Sequence, residues 1–419
     1  MKRPSSAQAT ARSVARDVLI EWSRQTRYAA DLIDDRSRKA GLSAQDHGFL
    51  HDIVLTTLRH LSLLDHWIGH LTAQRHLDHR TRWLLRIGLV QLLILDVPEH
   101  AAVNETVAAA GPSASIINAV LRRVTREKDA LLAQRDTLPP EVRFSHPRPL
   151  LKRWIAQRGE EAATALAAWN QHPAPVFVRQ NPLRPDAAAG LTENPALHPI
   201  GGEFFRCDSL PREILASGGC YAQDPSTALA VRAMDPQPGE VVLDACAAPG
   251  GKTALIAALL KNQGALIATD SSARRLDRWQ ENIARLGVTC ATAHVHDWSQ
   301  YSPPPTDGLL FDRILLDVPC SNSGVTRRRV DVRWRLEPDR DFPALVELQG
   351  RLIDHVLPYL RPGGTLAYST CSIDPDENEG VVQAALLRHP GLSLVQSHLQ
   401  WPPDTDTDGA FFAILRLKD

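Results

Sequence analysis

The sequence predicts an all-helical N-terminal bundle followed by an α/β domain with a mainly parallel, doubly wound sheet. Three observations carry this expectation. Apolar residues recur at three- and four-residue steps from residue 9 to about 135. Pro139, Pro140, Pro147 and Pro149 then punctuate the chain. From Pro236 onward, short apolar runs alternate with helical stretches, the pattern of parallel strands joined by helices.

The elements follow in order. Ala11, Val14, Ala15, Val18, Leu19 and Trp22 line one face of a first helix. A second follows Ser43, with Phe49, Leu50, Ile53, Val54, Leu58 and Leu61 inward. "TRWLLRIGLVQLLILDVP" is apolar nearly all round and stops before Pro98, as a central bundle helix does. "AAVNETVAAA" and "SIINAVLRRVTREKDALLAQR" complete the bundle, expected at 1–140. Residues 141–230 read as a small α+β adaptor, with "LLKRWIAQRGEEAATALAAWNQ" helical and "PVFVRQNPL" strand-like. Residues 231–419 form the α/β domain. Its strands are read at "GEVVLDACA", "GALIATD", "TCATAHVHD", "FDRILLDVP", "GTLAYSTCS" and "FFAILRL".

Composition excludes several classes. A length of 419 residues with 43% hydrophobic and 23% charged residues is globular. Residues 1–140 carry 19 Lys/Arg against 15 Asp/Glu, and the rest 28 against 33, so a nucleic-acid partner is permitted at the N-terminal part. The six cysteines form no C-x-x-C pair, so no metal is expected, and a reducing, cytoplasmic setting fits them. "MKRPSSAQATARSVARDV" lacks an apolar signal core; it reads as the start of the first helix, with a transit peptide as the minor alternative. Trp83 to Val97 contains Arg86 and Gln91 and is too short to span a bilayer, so no membrane role is expected.

The first α/β strand runs into "DACAAPGGKT". Gly250 and Gly251 let backbone approach a ligand, and a helix N-terminus follows. The spacing is neither a dinucleotide fingerprint nor a P-loop, so phosphate is not the expected ligand. Asp270 ends the next strand, where acids commonly take ribose hydroxyls, and Asp297 and Asp317 end the two after it. Each alone is as well explained by a loop or cap role. Together with Asp244 they suggest an adenosine-bearing ligand without a phosphate clamp, S-adenosylmethionine.

Cys320 follows the fourth strand and Cys371 ends the fifth, so adjacent strand ends bring both thiols to the same crevice. A lone Cys at either place is as well read as a small buried hydrophobe. The pair suggests nucleophilic catalysis on a pyrimidine: a thiolate adding to C6 activates C5 towards a methyl donor. Asp317 is placed to protonate N3.

The motifs "DACAAPGGKT", "LLDVPCSNSG" and "YSTCSIDPDENE" resemble those of the RNA cytosine-C5 methyltransferases, as do "YAQDPSTALAV", "RRRVDVRWR" and "TDGAFFAILRL". "TLRHLSLLDHWI", "LLRIGLVQLLILDVPEHAAVNETV" and "INAVLRR" resemble a NusB-like RNA-binding domain. The pairing is similar to the bacterial 16S ribosomal RNA cytosine-C5 methyltransferases of the RsmB, or Sun, type. That resemblance implies a Rossmann-like catalytic domain, with Cys371 as nucleophile and Cys320 assisting product release. It implies cofactor contacts from Cys246, Ala247, Ala248, Pro249, Gly250, Gly251, Lys252, Asp270, Asp297 and Asp317. It implies RNA contact at Arg179 and Asn181, and the basic segment adds Arg328 and Arg333. Ribosomal RNA is the expected partner and a monomer the expected state. The sequence departs from the family pattern Asp-Ala-Pro-Cys-Ser-Gly-x-Gly at Val318 and Asn322, and Val330 stands where proline is common. Asn322 tolerates the backbone angles that a glycine there would adopt. Two other readings stay open: the same chemistry on tRNA or DNA, and a non-catalytic RNA-binding assembly protein. The acidic run after Cys371 is read as helix initiation, with Glu377 and Glu379 in the first turn.

Overall fold

The computed structural model describes residues 9–300, 302–306 and 308–419. The first eight residues of the N-terminal reading lie outside these. The chain forms two compact units. One comprises residues up to His172 together with Arg329–Leu336; the other comprises Pro173–Arg328 and Glu337–Asp419.

The first unit is helical. Its helices are α1 (Ala11–Trp22), α2 (Ala29–Ala40), α3 (Ala44–Arg59), α4 (Leu61–Leu71), α5 (His79–Leu93), α6 (Glu99–Ala108), α7 (Ala114–Arg135), α8 (Pro140–Arg143), α9 (Arg148–Arg158) and α10 (Glu160–Trp169). Thr10, Ser43 and Asp78 cap α1, α3 and α5, each side chain accepting from a backbone N–H three residues on. From Trp83 to Leu93 every residue of α5 is buried, which explains its unbroken apolar sequence. The stretch from Leu150 read as one helix is two. Gly159 adopts φ +83 between α9 and α10, a conformation that ends a helix and that glycine alone enters cheaply.

The segment Arg329–Leu336 packs in this helical unit. Val330 is fully buried in the core formed by α1, α2, α3 and α5. Asp331 accepts from Ala29 N at 2.8 Å, at the start of α2. Trp334 Nε1 donates to Leu58 O at 2.8 Å, and the Arg335 guanidinium lies 4.4 Å over the Tyr28 ring.

The second unit holds two sheets. β1 (Val176–Gln180), β2 (Leu197–Gly201), β3 (Phe204–Cys207) and β4 (Cys220–Ala222), with α11 (Arg212–Ser217), form a small antiparallel sheet in the order β2-β3-β1-β4. The 141–230 region is therefore not one body: its helices up to His172 go with the helical unit and its strands with the other. The second sheet follows α12 (Leu229–Met234). It uses β5 (Val241–Asp244), β6 (Ala265–Asp270), β7 (Ala291–Val295), β8 (Phe311–Asp317), β9 (Leu360–Thr370), β10 (Leu392–Gln400) and β11 (Ala410–Leu417). Helices α13 (Gly251–Leu259), α14 (Ala273–Leu286), α15 (Pro338–Val356), α16 (Val381–Arg388) and the short α17 (Pro402–Thr405) connect them. The order is β10-β11-β9-β8-β5-β6-β7. β5 to β9 run parallel, while β11 joins β9 and β10 joins β11 antiparallel.

β10 is the strand absent from the sequence reading. It lies at the sheet edge and buries little beyond Leu392, so it has no apolar run to announce it. Two apolar clusters cover the two faces of the sheet, one built on Val242, Leu266 and Leu315, the other on Leu243, Ile314 and Leu366. Among the described residues no helix is long and apolar enough to cross a membrane, and no His/Cys/Asp/Glu group is arranged to hold a metal ion.

Candidate active site

β5 is the switch point of the large sheet. It has β6 on one side and β8 on the other, and such a divide opens a crevice at the carboxyl ends of the strands. The loop from Cys246 to Gly250 follows β5 there. Gly250 takes φ +103, and Gly251 begins α13. A Cβ on Gly251 would lie 2.7 Å from Tyr221 Cε1, so only glycine lets the loop pass beneath that ring.

Acids close the strand ends. Asp244 is fully buried and accepts from Thr253 Oγ1 at 2.7 Å, while its other oxygen has no protein partner. Burial lifts its pKa to about 7. One Asp270 oxygen accepts from Ser272 N at 3.0 Å and the other from Ala248 N at 3.3 Å, with Arg275 Nη2 also at 3.3 Å. A carboxylate has about four acceptor positions, so Asp270 keeps capacity for a ribose hydroxyl. Asp297 lies two residues beyond β7, is exposed, and accepts from Ser299 N at 2.9 Å. Asp317 ends β8 and meets Lys252 Nζ at 2.6 Å. Burial opposes the Lys252 charge, but Asp317, its hydrogen bond and then Cys371 hold its pKa above the ordinary value.

Lys252 and Arg275 are thus each paired with an acid, which leaves this loop poorly suited to phosphate. A glycine cradle, a helix N-terminus and a strand-end carboxylate fit the backbone approach and ribose recognition that S-adenosylmethionine needs. The unpartnered Asp244 oxygen adds an unused acceptor beneath the loop.

The two thiols come together beside this crevice. Cys320 Sγ and Cys371 Sγ are 3.2 Å apart, and both residues are partly exposed. The hydrogen bond with Cys371, then burial, pushes the Cys320 pKa well above its ordinary value. Gly324 N donates to Cys371 O at 3.0 Å, and a Cβ on Gly324 would sit 2.8 Å from that oxygen. The loop can approach Cys371 this closely only with glycine there.

Glu377 ties the two cysteine loops, whereas the sequence placed it only in the first turn of a helix. It is fully buried. It accepts from Ser321 N at 2.9 Å, Gln349 Nε2 at 2.9 Å and Ser372 Oγ at 2.7 Å. Gln349 also reaches Pro319 O at 3.0 Å. Ser323 Oγ lies 2.9 Å from Ser372 Oγ and accepts from Ile373 N at 3.1 Å. The acidic run is only partly helix initiation: Asp374 accepts from Asp376 N at 3.0 Å, but Glu377 turns inward in a π-turn over Asp376–Gly380. Its position six residues after Cys371 was the available signal.

The residues expected to contact RNA are placed differently. Arg179 is 2% exposed; its Nε donates to Gln223 Oε1 at 2.7 Å and its Nη2 to Gly251 O at 3.3 Å. Asn181 donates to Gly218 O and Leu286 O, each at 2.8 Å. These two support the cofactor loop and its neighbouring helix from behind. Arg328 bridges Asp408 at 2.7 Å and Asp224 at 2.9 Å. Arg333 has no exposed surface and reaches Asn170 O at 3.3 Å and Ser145 O at 3.5 Å, within the helical unit. A buried guanidinium engaged with carbonyls cannot touch a phosphate, so the expected RNA contact at Arg333 does not fit this structure. Arg179 and Asn181 are largely buried and hydrogen-bonded within the protein, and both line a cavity of about 470 Å³.

Comparison with known proteins follows the same division of the chain. Residues 231–416 match the family model described as 16S rRNA methyltransferase RsmB/F, and residues 9–126 match the NusB family. The ribosomal RNA small subunit methyltransferase B of Salmonella arizonae is 34% identical over 97% of this chain and 98% of its own length. The solved structure of PH0851 superposes with a TM-score of 0.76 at 23% identity, over 98% of this chain and 100% of that one. A methyltransferase homolog protein from Pyrococcus horikoshii has a TM-score of 0.57 at 30% identity, over 66% of this chain and 97% of that one.

Proposed function

The chain belongs to the 16S rRNA methyltransferase RsmB/F family, and we propose that it methylates C5 of a cytosine in small-subunit ribosomal RNA through a covalent bond between Cys371 and C6. The observation that carries this reading is the pair of thiols 3.2 Å apart at neighbouring strand ends, beside the Asp317–Lys252 pair. A binding protein has no use for that arrangement.

The chemistry follows from the residues. The Cys371 thiolate adds to C6, and the displaced electron pair is accommodated as N3 gains a proton. In its protonated form the Asp317 carboxyl gives N3 this proton while its other oxygen accepts from the exocyclic amine, and Lys252 at 2.6 Å fixes its orientation. Bound S-adenosylmethionine supplies the methyl group to the activated C5. A base then removes the C5 proton, which re-forms the C5–C6 double bond and expels the Cys371 thiolate, and N3 gives back the proton it had gained. Cys320, held against Cys371, assists that departure. The target base has to leave its stack to reach the sulfur, which costs least in a loop or an unpaired strand of RNA.

Two variants test the assignment. Cys371→Ala gives no methylation and no covalent RNA adduct. Cys320→Ala accumulates a protein–RNA adduct that survives denaturant on a gel. An adduct formed by Cys371→Ala instead would reverse the roles. Mapping 5-methylcytosine in the rRNA of cells lacking this protein identifies the substrate; an unchanged small-subunit map sinks the rRNA reading.

A further inference from the structure

Asn322 occupies a position where the family motif commonly carries glycine. Its backbone is left-handed, φ 58 and ψ 24, which asparagine enters more readily than most residues. Backbone geometry explains why Gly or Asn stands here. It does not explain what the side chain does.

The carboxamide is held from one side and aimed at the other. Nδ2 donates to Cys320 O at 2.9 Å. Only an NH2 group can face that carbonyl, so this bond sets the amide orientation. Oδ1 is thereby presented to Cys371, whose Sγ lies 3.2 Å away and donates to it. An amide oxygen only accepts. It takes a thiol hydrogen, and it turns the negative end of its dipole towards a thiolate. A hydrogen bond made to the neutral form of an acid opposes its ionisation.

Titratable groups from other elements lie at the sulfur or on the loops that hold it. Cys320 follows β8, Lys252 comes from α13, Asp317 ends β8, and Glu377 lies in the π-turn before α16. Asn322 is a neutral group that adds a directed bond to the thiol proton itself.

We propose that Asn322 is a latch on the resting nucleophile: its amide oxygen holds the Cys371 proton until the loop is displaced. The importance of this for catalysis rests on the reading of Cys371 as the attacking thiol. A latched thiol is also shielded from oxidation and alkylation, because the thiolate is the form that reacts. A glycine at this position would have no side chain to supply such a latch.

The test uses the full chain without RNA or cofactor. Alkylation by iodoacetamide is followed from about pH 6 to about pH 9, spanning the ordinary thiol range, with Cys371 resolved by peptide mass spectrometry. Asn322→Gly keeps the backbone conformation and should alkylate at Cys371 about threefold to tenfold faster near pH 7. Asn322→Asp keeps an acceptor oxygen towards Cys371, gives up the Nδ2–H that faces Cys320 O, adds negative charge, and should react more slowly than the wild type. Acceleration in both variants means a loosened loop and overturns the latch; so does acceleration in neither. The adduct experiment tests the nucleophile separately. If the adduct maps to Cys320 while Asn322→Gly alone accelerates Cys371 alkylation, the hydrogen bond stands and the nucleophile assignment falls.

Discussion

Each unit buries a polar cluster, and the two clusters are chemically opposite. In the sheet unit, Ser321, Ser323, Ser372, Glu377 and Asn378 are buried around two partly exposed thiols. Their hydroxyls, amide and carboxylate bond to one another and to the two loops. In the helical unit, Arg59, His60, Ser145, His146, Asn170 and Arg333 are buried, a cluster rich in cationic and imidazole groups. The first cluster points reactive atoms at a crevice. The second holds helices and the Arg329–Leu336 segment in place. Burying a polar side chain costs free energy unless it is bonded, so each cluster marks somewhere geometry is tightly specified. Only the first cluster has partly exposed thiols at its edge.

The largest effect expected from this contrast is on catalysis. Cys371→Ala should lower the methylation rate by roughly ten-thousandfold or more, as loss of a covalent nucleophile does. Equal loss on removing a residue of the helical cluster, with the fold intact, would erase the distinction. Glu377→Ala comes next. It strands three buried donors and should cost about 3 kcal/mol or more in urea unfolding, with Glu377→Gln recovering part of the loss. Full stability in Glu377→Ala would show that the cysteine loops do not depend on this carboxylate.

Arg333→Ala should destabilise the helical unit by about 3 kcal/mol through lost packing and stranded carbonyls. The salt dependence of RNA binding should stay unchanged, since a buried guanidinium neutralises no phosphate. A shallower salt slope at unchanged stability would restore Arg333 as an RNA contact.

The smallest effects are pH slopes of opposite sign. Burial, then Arg59 and Arg333, lowers the His60 pKa to about 3 from its ordinary 6.5. The unfolded chain therefore takes up this proton first as pH falls. The stability contributed by neutral His60 is present above about pH 6.5 and is lost on descending towards about 3. His146 shifts in the same direction, chiefly through burial. Asp244 works the other way. Between the ordinary 3.8 and about 7 the folded state keeps a proton that the unfolded chain has released, so its contribution falls as pH rises through that window. Hydrogen exchange read separately on peptides of each unit should show acid loosening the helical unit. Asp244→Asn should remove a slope of the opposite sign from the sheet unit. Matching slopes in both units would break the comparison.

Local signals made much of this legible. The strand ends at Asp244, Asp270, Asp317 and Cys371 stood out because an apolar run followed by a polar turn residue is a pattern of adjacent positions. α5 stood out because a central helix must be apolar all round. Asn322 was expected in a tolerant turn and adopts the left-handed region. Signals that depend on packing were not legible. β10 is too exposed to carry an apolar run, and Glu377 looked like one acid among several in a helix start.

By itself the sequence determined the helical and α/β parts, the crevice they imply, and the placing of two cysteines at adjacent strand ends beside it. Periodicity, turn residues and motif spacing are properties of neighbouring positions, and they survive without knowledge of distant contacts. Only the tertiary structure decided that Arg179 reaches Gly251, that Arg333 is buried against Asn170, that Glu377 joins the cysteine loops, and that Asn322 reaches Cys371. Each of those partnerships links residues far apart in the chain, by 72 positions for Arg179 and Gly251 and 163 for Arg333 and Asn170. Whether a charged side chain faces solvent or a carbonyl is settled by where such distant chain returns, which its neighbours in the sequence do not encode.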